Sequence, residues 1–135
     1  MSFQVEGKVA VVTGGSSGIG LSTAAKVAAA GATTIIVARG EEELFKTRDE
    51  IIAAGGKCWA YTCDLTDLSS CDKLVATVLA EHKAVDVLVN NAGRSIRRSV
   101  ELSYDRFHDY ERTMQLNYFG CLRLIMGFLP AMTQR

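Results

Sequence analysis

Four glycines and two serines stand together near the start of the chain, in the stretch TGGSSGIG from Thr13 to Gly20. The apolar run Lys8–Val12 before it predicts a short buried strand, and the Ala-rich segment Leu21–Ala30 after it predicts a helix. A glycine-rich turn between a strand and a helix brings the backbone close to a pyrophosphate, and the free N–H groups of the helix N-terminus face that anion. The serines can cap the helix or donate their hydroxyl groups to phosphate. We therefore predict that the turn binds phosphate through Gly14, Ser16, Ser17, Gly18, Ile19 and Gly20.

The spacing of the glycines distinguishes this turn from the commonest phosphate-binding motifs. Gly14, Gly18 and Gly20 form T-G-x-x-x-G-x-G, whereas the usual dinucleotide turn is G-x-G-x-x-G and a P-loop requires a Lys after its last glycine. Glycines also collect in tight turns that hold no ligand, so this motif by itself is weak evidence for a site.

A second motif, NNAG at Asn90–Gly93, follows the predicted strand Val85–Val89. Its amide side chains can bond backbone groups on both sides, and the small Ala and Gly leave room for a cofactor to pass close to the chain. The two motifs in this order resemble the short-chain dehydrogenase/reductase family. The resemblance implies hydride transfer between a nicotinamide cofactor and a carbonyl or alcohol carbon, with cofactor contacts from Asn91, Ala92 and Gly93.

The end of the second predicted strand, Thr33–Ala38, indicates which nicotinamide cofactor is bound. A site that selects NAD places an Asp or Glu there to hold the ribose hydroxyl groups. Here Arg39 follows the strand, and a cation suits the 2′-phosphate of NADP. We therefore predict NADP(H) as the cofactor. The alternative is that Arg39 only stacks on adenine or points into solvent.

Asp64 and Leu65 follow the third predicted strand, Lys57–Thr62, at the edge where parallel sheets place ligand contacts. The family resemblance implies that an Asp at this place contacts the adenine ring. Spacing alone supports equally well an Asp that caps the start of the next helix, Asp67–His82.

Strands and helices alternate along the chain, with a further helix at Glu41–Ala54 between the second and third strands. This alternation predicts an α/β fold with a parallel sheet and right-handed crossovers. We expect the first half of a Rossmann-type doubly wound sheet, with strand order 3-2-1-4 and helices on both faces. Residues 1–135 then form one NADP-binding domain.

A last helix is predicted at Tyr104–Leu129, capped by Ser103, and its second half is apolar nearly all round. Such a helix is buried on more than one side. The resemblance implies that it packs on the sheet and against a second subunit, so we predict a homo-oligomer through Tyr104–Leu129. The alternative is that further parts of the same chain cover this face.

Asn117 is the polar exception within this apolar stretch. The resemblance implies that it belongs to the active site, where it holds a water that connects to a catalytic Lys. The alternative is that the helix backbone satisfies its amide, since a buried Asn must be hydrogen-bonded.

The other catalytic residues of the resembled family are absent from the sequence. Family members use a Tyr as acid and base, a Lys four positions later that lowers the pKa of that Tyr, and a Ser that orients the substrate. No Tyr of this chain precedes a Lys at that spacing, and Lys83 is the last lysine. We therefore expect the cofactor-binding part of a longer oxidoreductase, inactive alone. The alternative is a catalytically inactive nucleotide-binding or oligomerising module.

A finer resemblance, carried by Asn90–Arg98 and Asp105–Gly120, is to the bacterial fatty acyl-CoA reductases of the family. It implies a small-molecule substrate that is an acyl-CoA or another lipid carbonyl, and a generic carbonyl reductase is the alternative. Arg94, Arg97 and Arg98 can meet the phosphates of coenzyme A, or they can form a solvated loop.

Composition excludes several other classes of protein. Fifteen basic and fifteen acidic residues leave no net charge, so nothing indicates nucleic-acid binding. The N-terminus lacks a secretory signal, and Arg123 and Pro130 interrupt the longest apolar stretch, so we expect a cytoplasmic protein without a membrane span. The four cysteines have no CxxC spacing and are expected to be free thiols, and no metal site is predicted.

Overall fold

An open parallel sheet of four strands runs through residues 4–134, the part of the chain that this computed structural model describes. The strand order is β3-β2-β1-β4, with β1 at Val9–Thr13, β2 at Thr33–Ala38, β3 at Lys57–Thr62 and β4 at Val87–Val89. The predicted Rossmann-type α/β fold and its order 3-2-1-4 are confirmed. Of the predicted domain 1–135, residues 1–3 and 135 lie outside the described part.

Helices connect and cover the strands. They are α1 at Gly18–Ala29, α2 at Glu41–Ala53, α3 at Leu68–His82, α4 at Phe107–Met114 and α5 at Cys121–Thr133. A π-helical turn at Gln115–Gly120 joins α4 to α5, and a 3-10 turn at Val100–Leu102 lies in the loop before α4. None of the helices within residues 4–134 combines the length and the apolar character that a membrane crossing needs.

The two inner strands are buried because their side chains alternate between two cores. Val11 and Ile35, which are partners in the register of β1 and β2, belong to the core that α3 and α5 cover. Val12 and Ile36 belong to the core on the opposite face, which α1 and α2 cover. The predicted placement of helices on both faces is thus confirmed, and it leaves the carboxyl ends of the strands open at one edge.

β4 is shorter than the predicted strand Val85–Val89, because a side chain instead of the backbone accepts one hydrogen bond from β1. The carboxylate of Asp86 accepts a hydrogen bond from the backbone N–H of Val9 at 2.8 Å. The backbone N–H of Asp86 still donates to the carbonyl of Val9 at 2.8 Å, and the register with β1 starts at Val87, opposite Ala10.

The prediction of one regular helix at Tyr104–Leu129 is wrong at both ends, and the π-helical turn interrupts the helix in its middle. Ser103 does not cap it, because its hydroxyl donates to the carbonyl of Ser99 at 2.8 Å and α4 begins only at Phe107. Pro130 lies inside α5 and does not end it. Proline removes one helical hydrogen bond, but Leu124 and Phe128 are fully buried in the core and hold the last turns of this helix in place.

Candidate functional site

A cleft of about 710 Å³ lies at the carboxyl ends of the strands. The glycine-rich turn, the end of β2, the loop after β3 and the NNAG segment contribute to its walls. Open α/β sheets bind ligands at this edge, where the strand order reverses between β1 and β4.

The glycine-rich turn folds back on itself so closely that side chains are excluded from it. Gly14 has a φ of +67°, and its N–H donates to the carbonyl of Val37 at 2.7 Å. A Cβ atom on Gly20 would overlap the carbonyl oxygen of Gly14 and the side-chain amide of Asn91. Gly14 is therefore favoured by its backbone conformation, and Gly20 is required by contact.

The remaining residues of the predicted phosphate-binding turn are at its surface. Ser17 occupies the cap position of α1 with an extended backbone, but its hydroxyl makes no capping hydrogen bond and the residue lines the cleft. Ser16 is half-buried, Gly18 adopts a φ of +55°, and Ile19 is 79% exposed. The Ile19 side chain is thus an exposed apolar group beside the glycine-rich turn.

Thr13 ties the two sequence motifs together, and the sequence reasoning missed it. The buried Thr13 hydroxyl accepts hydrogen bonds from the N–H groups of Asn91 at 3.1 Å and Ala92 at 3.0 Å. The amide of Asn91 in turn donates to the carbonyl of Gly14 at 3.3 Å, as expected for a side chain that links neighbouring strands. The signal in the sequence was a hydroxyl residue at the last position of an otherwise apolar strand.

Arg39 stands at the wall of the cleft, next to Ala38 at the end of β2. The residue is exposed, and within residues 4–134 its guanidinium makes no hydrogen bond or ion pair with the protein. A positive charge without a protein partner, at the place where a carboxylate would select NAD, is available for an anionic ligand group.

Asp64 and Leu65 also lie at the wall of the cleft. The carboxylate of Asp64 accepts hydrogen bonds from the N–H of Thr66 at 3.0 Å and from its hydroxyl at 2.6 Å. The helix cap is Asp67, whose carboxylate accepts from the N–H of Ser69 at 3.0 Å. The capping alternative for Asp64 is therefore wrong, since Asp64 lies three residues before the cap and its carboxylate closes a tight turn with Thr66.

Asn117 lies in the π-helical turn and holds the chain that leaves β4. Its side-chain oxygen accepts from the N–H of Arg94 at 2.8 Å, and its amide donates to the carbonyl of Arg94 at 2.7 Å. The alternative that the helix backbone satisfies this Asn is therefore wrong. π-helical turns interrupt α-helices at functional sites with unusual frequency, and here the turn directs an amide at the segment Asn91–Arg94.

The loop before α4 is fixed at a second point by the buried carboxylate of Asp109. Arg106 donates to it from Nε at 2.7 Å and from Nη2 at 3.3 Å, and Arg98 donates to Oδ2. These two guanidinium groups, Arg106 first, hold the pKa of Asp109 down at about 2 despite its burial. Arg94, Arg97 and Arg98 are all exposed, and the guanidinium of Arg98 is already paired with Asp109.

The four cysteines are free thiols, as predicted. Cys58, Cys63 and Cys71 are buried, and Cys121 is half-buried. Burial raises the pKa of Cys58 to about 11 and the pKa of Cys71 to about 12. Cys63 lines the cleft, but burial raises the pKa of its thiol as well, so it is a poor nucleophile there.

Comparison with known proteins agrees with this architecture. A family model described as short chain dehydrogenase matches residues 8–135. A fatty acyl-CoA reductase of Acinetobacter baylyi is 53% identical over 131 residues, which cover 97% of this chain and 44% of that protein. The chain thus spans less than half the length of this curated relative.

Two solved structures are similar over nearly the whole chain. A metagenomic short-chain oxidoreductase in complex with NADP has a TM-score of 0.91 and 35% identity, over 98% of this chain and 59% of that one. The L-sorbose reductase of Gluconobacter frateurii, complexed with NADPH and L-sorbose, has a TM-score of 0.91 and 31% identity, over 100% of this chain and 51% of that one.

Proposed function

The chain belongs to the short-chain dehydrogenase family, and we propose that it is the NADPH-binding part of an oxidoreductase of that family. The observation that carries the proposal is Arg39, whose guanidinium has no partner among the described residues and lies at the end of β2 on the wall of a cleft of about 710 Å³. Similar solved structures in complex with NADP and with NADPH support the same cofactor.

The residues of the cleft suit the parts of NADPH. The glycine-rich turn and the N-terminus of α1 would hold the pyrophosphate, with the hydroxyl groups of Ser16 and Ser17 as additional donors. Arg39 would hold the 2′-phosphate, and Asp64 and Leu65 would contact adenine. Asn91, Ala92 and Gly93 would line the path to the nicotinamide, which supplies hydride when the cofactor is bound.

Asn117 enters this proposal as an active-site residue that acts through the backbone of Arg94. Its two hydrogen bonds to Arg94 are 2.8 and 2.7 Å long, so the amide fixes the segment that follows NNAG. A water between Asn117 and a catalytic Lys stays a prediction, as do cytoplasmic location and the inactivity of residues 1–135 alone.

For the substrate, we propose a fatty acyl-CoA or a related lipid carbonyl. The support is the 53% identity to a fatty acyl-CoA reductase over nearly the whole chain. A generic carbonyl reductase is the second candidate. A protein of the relatives' full length that oxidises NADPH with a long-chain acyl-CoA and not with simple ketones would favour the first, and the reverse preference would favour the second.

A catalytically inactive nucleotide-binding module is the third candidate. The intact mass of the protein in its source separates it from the enzyme. A mass near twice that of this chain places the catalytic Ser, Tyr and Lys in the additional part, whereas a mass equal to these 135 residues favours the module.

The cofactor assignment is tested by charge reversal at Arg39. Arg39→Glu should weaken NADPH binding at least about tenfold, which corresponds to ~1.4 kcal/mol, because it replaces a phosphate partner by a repelling carboxylate. Lys57→Glu is the matched control, since Lys57 is exposed at the amino end of β3, away from the cleft. Titration by fluorescence or calorimetry measures both, and an unchanged affinity in Arg39→Glu would contradict the proposal.

A further inference from the structure

Beside the cofactor cleft lies a second cavity, of about 380 Å³, formed by the loop before α4 and by α4 itself. The two spaces share Arg94, Ile96 and Thr113 in their walls, so a ligand in the second cavity is adjacent to one in the cleft. None of the residues assigned above to NADPH lines the second cavity.

The charge of this cavity is strongly positive. Arg94, Arg98 and Arg106 line it, and Asp109 is the one carboxylate that the described residues contribute to its wall. The four groups sum to two positive charges, in a chain whose net charge is zero. Such a local excess of guanidinium groups in a concave site favours a ligand that carries several negative charges.

Asp109 orients two of these arginines without exhausting their donors. A guanidinium has five N–H donors. Arg106 donates to Asp109 from two of its nitrogens, and Arg98 donates from one. The remaining N–H groups are held in fixed directions by a buried partner. Because their side chains are already immobilised, a bound anion loses less affinity to the ordering of these side chains.

We propose that this cavity is a subsite for the phosphate groups of the substrate's carrier, the coenzyme A part of an acyl thioester, while the acyl carbonyl enters the adjoining cleft. The inference rests on the function proposed above and deepens it. It separates the loop arginines by role: Arg94, Arg98 and Arg106 face the ligand, Asp109 positions Arg98 and Arg106, and Arg97 lies outside the cavity wall.

Arg94 and Arg97 provide a matched pair for the test. Both are exposed and lie in the same loop, and the contacts of Arg94 to Asn117 are made by its backbone, so Arg94→Gln leaves them in place. Coenzyme A is titrated by calorimetry into the chain saturated with NADPH, so that the cofactor cleft is not open to its adenine nucleotide. The wild-type chain and Arg97→Gln should bind coenzyme A equally, and Arg94→Gln about tenfold more weakly.

The inference is overturned if Arg94→Gln and Arg97→Gln bind coenzyme A alike, or if the NADPH-saturated chain does not bind it. It is also overturned if inorganic pyrophosphate binds as tightly as coenzyme A, because the cavity would then be a general anion site. NADPH titration of the same variants separates this failure from failure of the proposed function. If NADPH binds and coenzyme A does not, the subsite proposal alone is contradicted. If the wild-type chain does not bind NADPH, both the subsite and the proposed function are contradicted.

Discussion

Gly20 is the residue at which the two sequence motifs meet in space. Its Cα lies so close to Gly14 and Asn91 that an added Cβ would overlap the carbonyl oxygen of the first and the amide nitrogen of the second. Glycine spacing in the sequence indicates a turn, but only the fold shows that this glycine is required by a contact with NNAG, 71 residues further along the chain.

Gly20→Ala should therefore loosen the glycine-rich turn and destabilise the chain by on the order of 1–3 kcal/mol, the usual cost of overpacking. NADPH affinity should fall with it, because the turn cannot keep its shape. Gly40→Ala is the control: nothing lies within 4 Å of its added Cβ, and its φ of −85° suits any residue. Urea denaturation and NADPH titration of both variants check the prediction, which is wrong if the two behave alike.

His82 gives the stability of the chain a dependence on pH. The ring lies edge-on to Trp59, with centroids 5.2 Å apart, and Nε2 is 2.8 Å from the hydroxyl of Tyr61. Partial burial lowers the pKa of His82 below its ordinary value of 6.5, against an opposing effect of Glu81. Below about pH 6.5 the unfolded chain thus takes up more protons at this residue than the folded chain does.

The free energy of unfolding should accordingly fall as the pH drops below 6.5, and the part due to His82 should disappear in His82→Gln. Urea denaturation at a series of pH values between about 5.5 and 7.5, for both proteins, measures the difference. If the variant kept the wild-type slope, the dependence would come from other groups.

At the scale of elements, the sequence predicted the order, type and faces of the regular elements, because burial on two faces gives strands such as TTIIVA an unmistakable apolar character. It failed at the long last helix. Beside the start at Phe107, Arg98 and Arg106 both bond Asp109, and in the π-helical turn Asn117 bonds Arg94. These are tertiary contacts, which periodicity along one helix does not reveal. Thr13 and the second cavity were missed for the same reason.

At the scale of elements, the contact between the π-helical turn and the segment after β4 can be removed by one substitution. We call this contact, the two hydrogen bonds between the Asn117 side chain and the Arg94 backbone, the clamp. Asn117→Ala deletes both hydrogen bonds to Arg94, each with a net contribution of about 1 kcal/mol at most for so exposed a residue. The larger expected effect is dynamic: the N–H of Arg94 should exchange with solvent much faster. Asn117→Asp keeps the acceptor and should retain protection of that N–H. Hydrogen exchange followed by NMR tests this, and equal protection in wild type and Asn117→Ala would contradict the clamp.

At the scale of the whole molecule, the sheet and the last helix each have one side that no described residue covers. Within residues 4–134, β1 pairs on both sides but β4 pairs only with β1, so β4 forms an edge of the sheet. The outer face of the π-helical turn and α5 carries apolar side chains at helical spacing that are 39–62% exposed: Tyr118, Leu122, Ile125, Met126 and Leu129. Exposed apolar side chains at this spacing can form an interaction surface, and the homo-oligomer through this region stays a prediction.

The last prediction is that this apolar face makes the chain self-associate. Met126→Lys should reduce the association without unfolding the chain, because the Met126 side chain is 62% exposed and belongs to neither core cluster of the described residues. Ile52→Lys is the control, since Ile52 is 50% exposed on α2, on the other side of the sheet. Sedimentation velocity should show a mass that rises with concentration for the wild-type chain and Ile52→Lys, and a lower mass for Met126→Lys.

A wild-type chain that stays monomeric at every soluble concentration would contradict the prediction. Association of this chain that is absent from a protein of the relatives' full length would mean that additional parts of the same polypeptide cover the face, instead of a second copy.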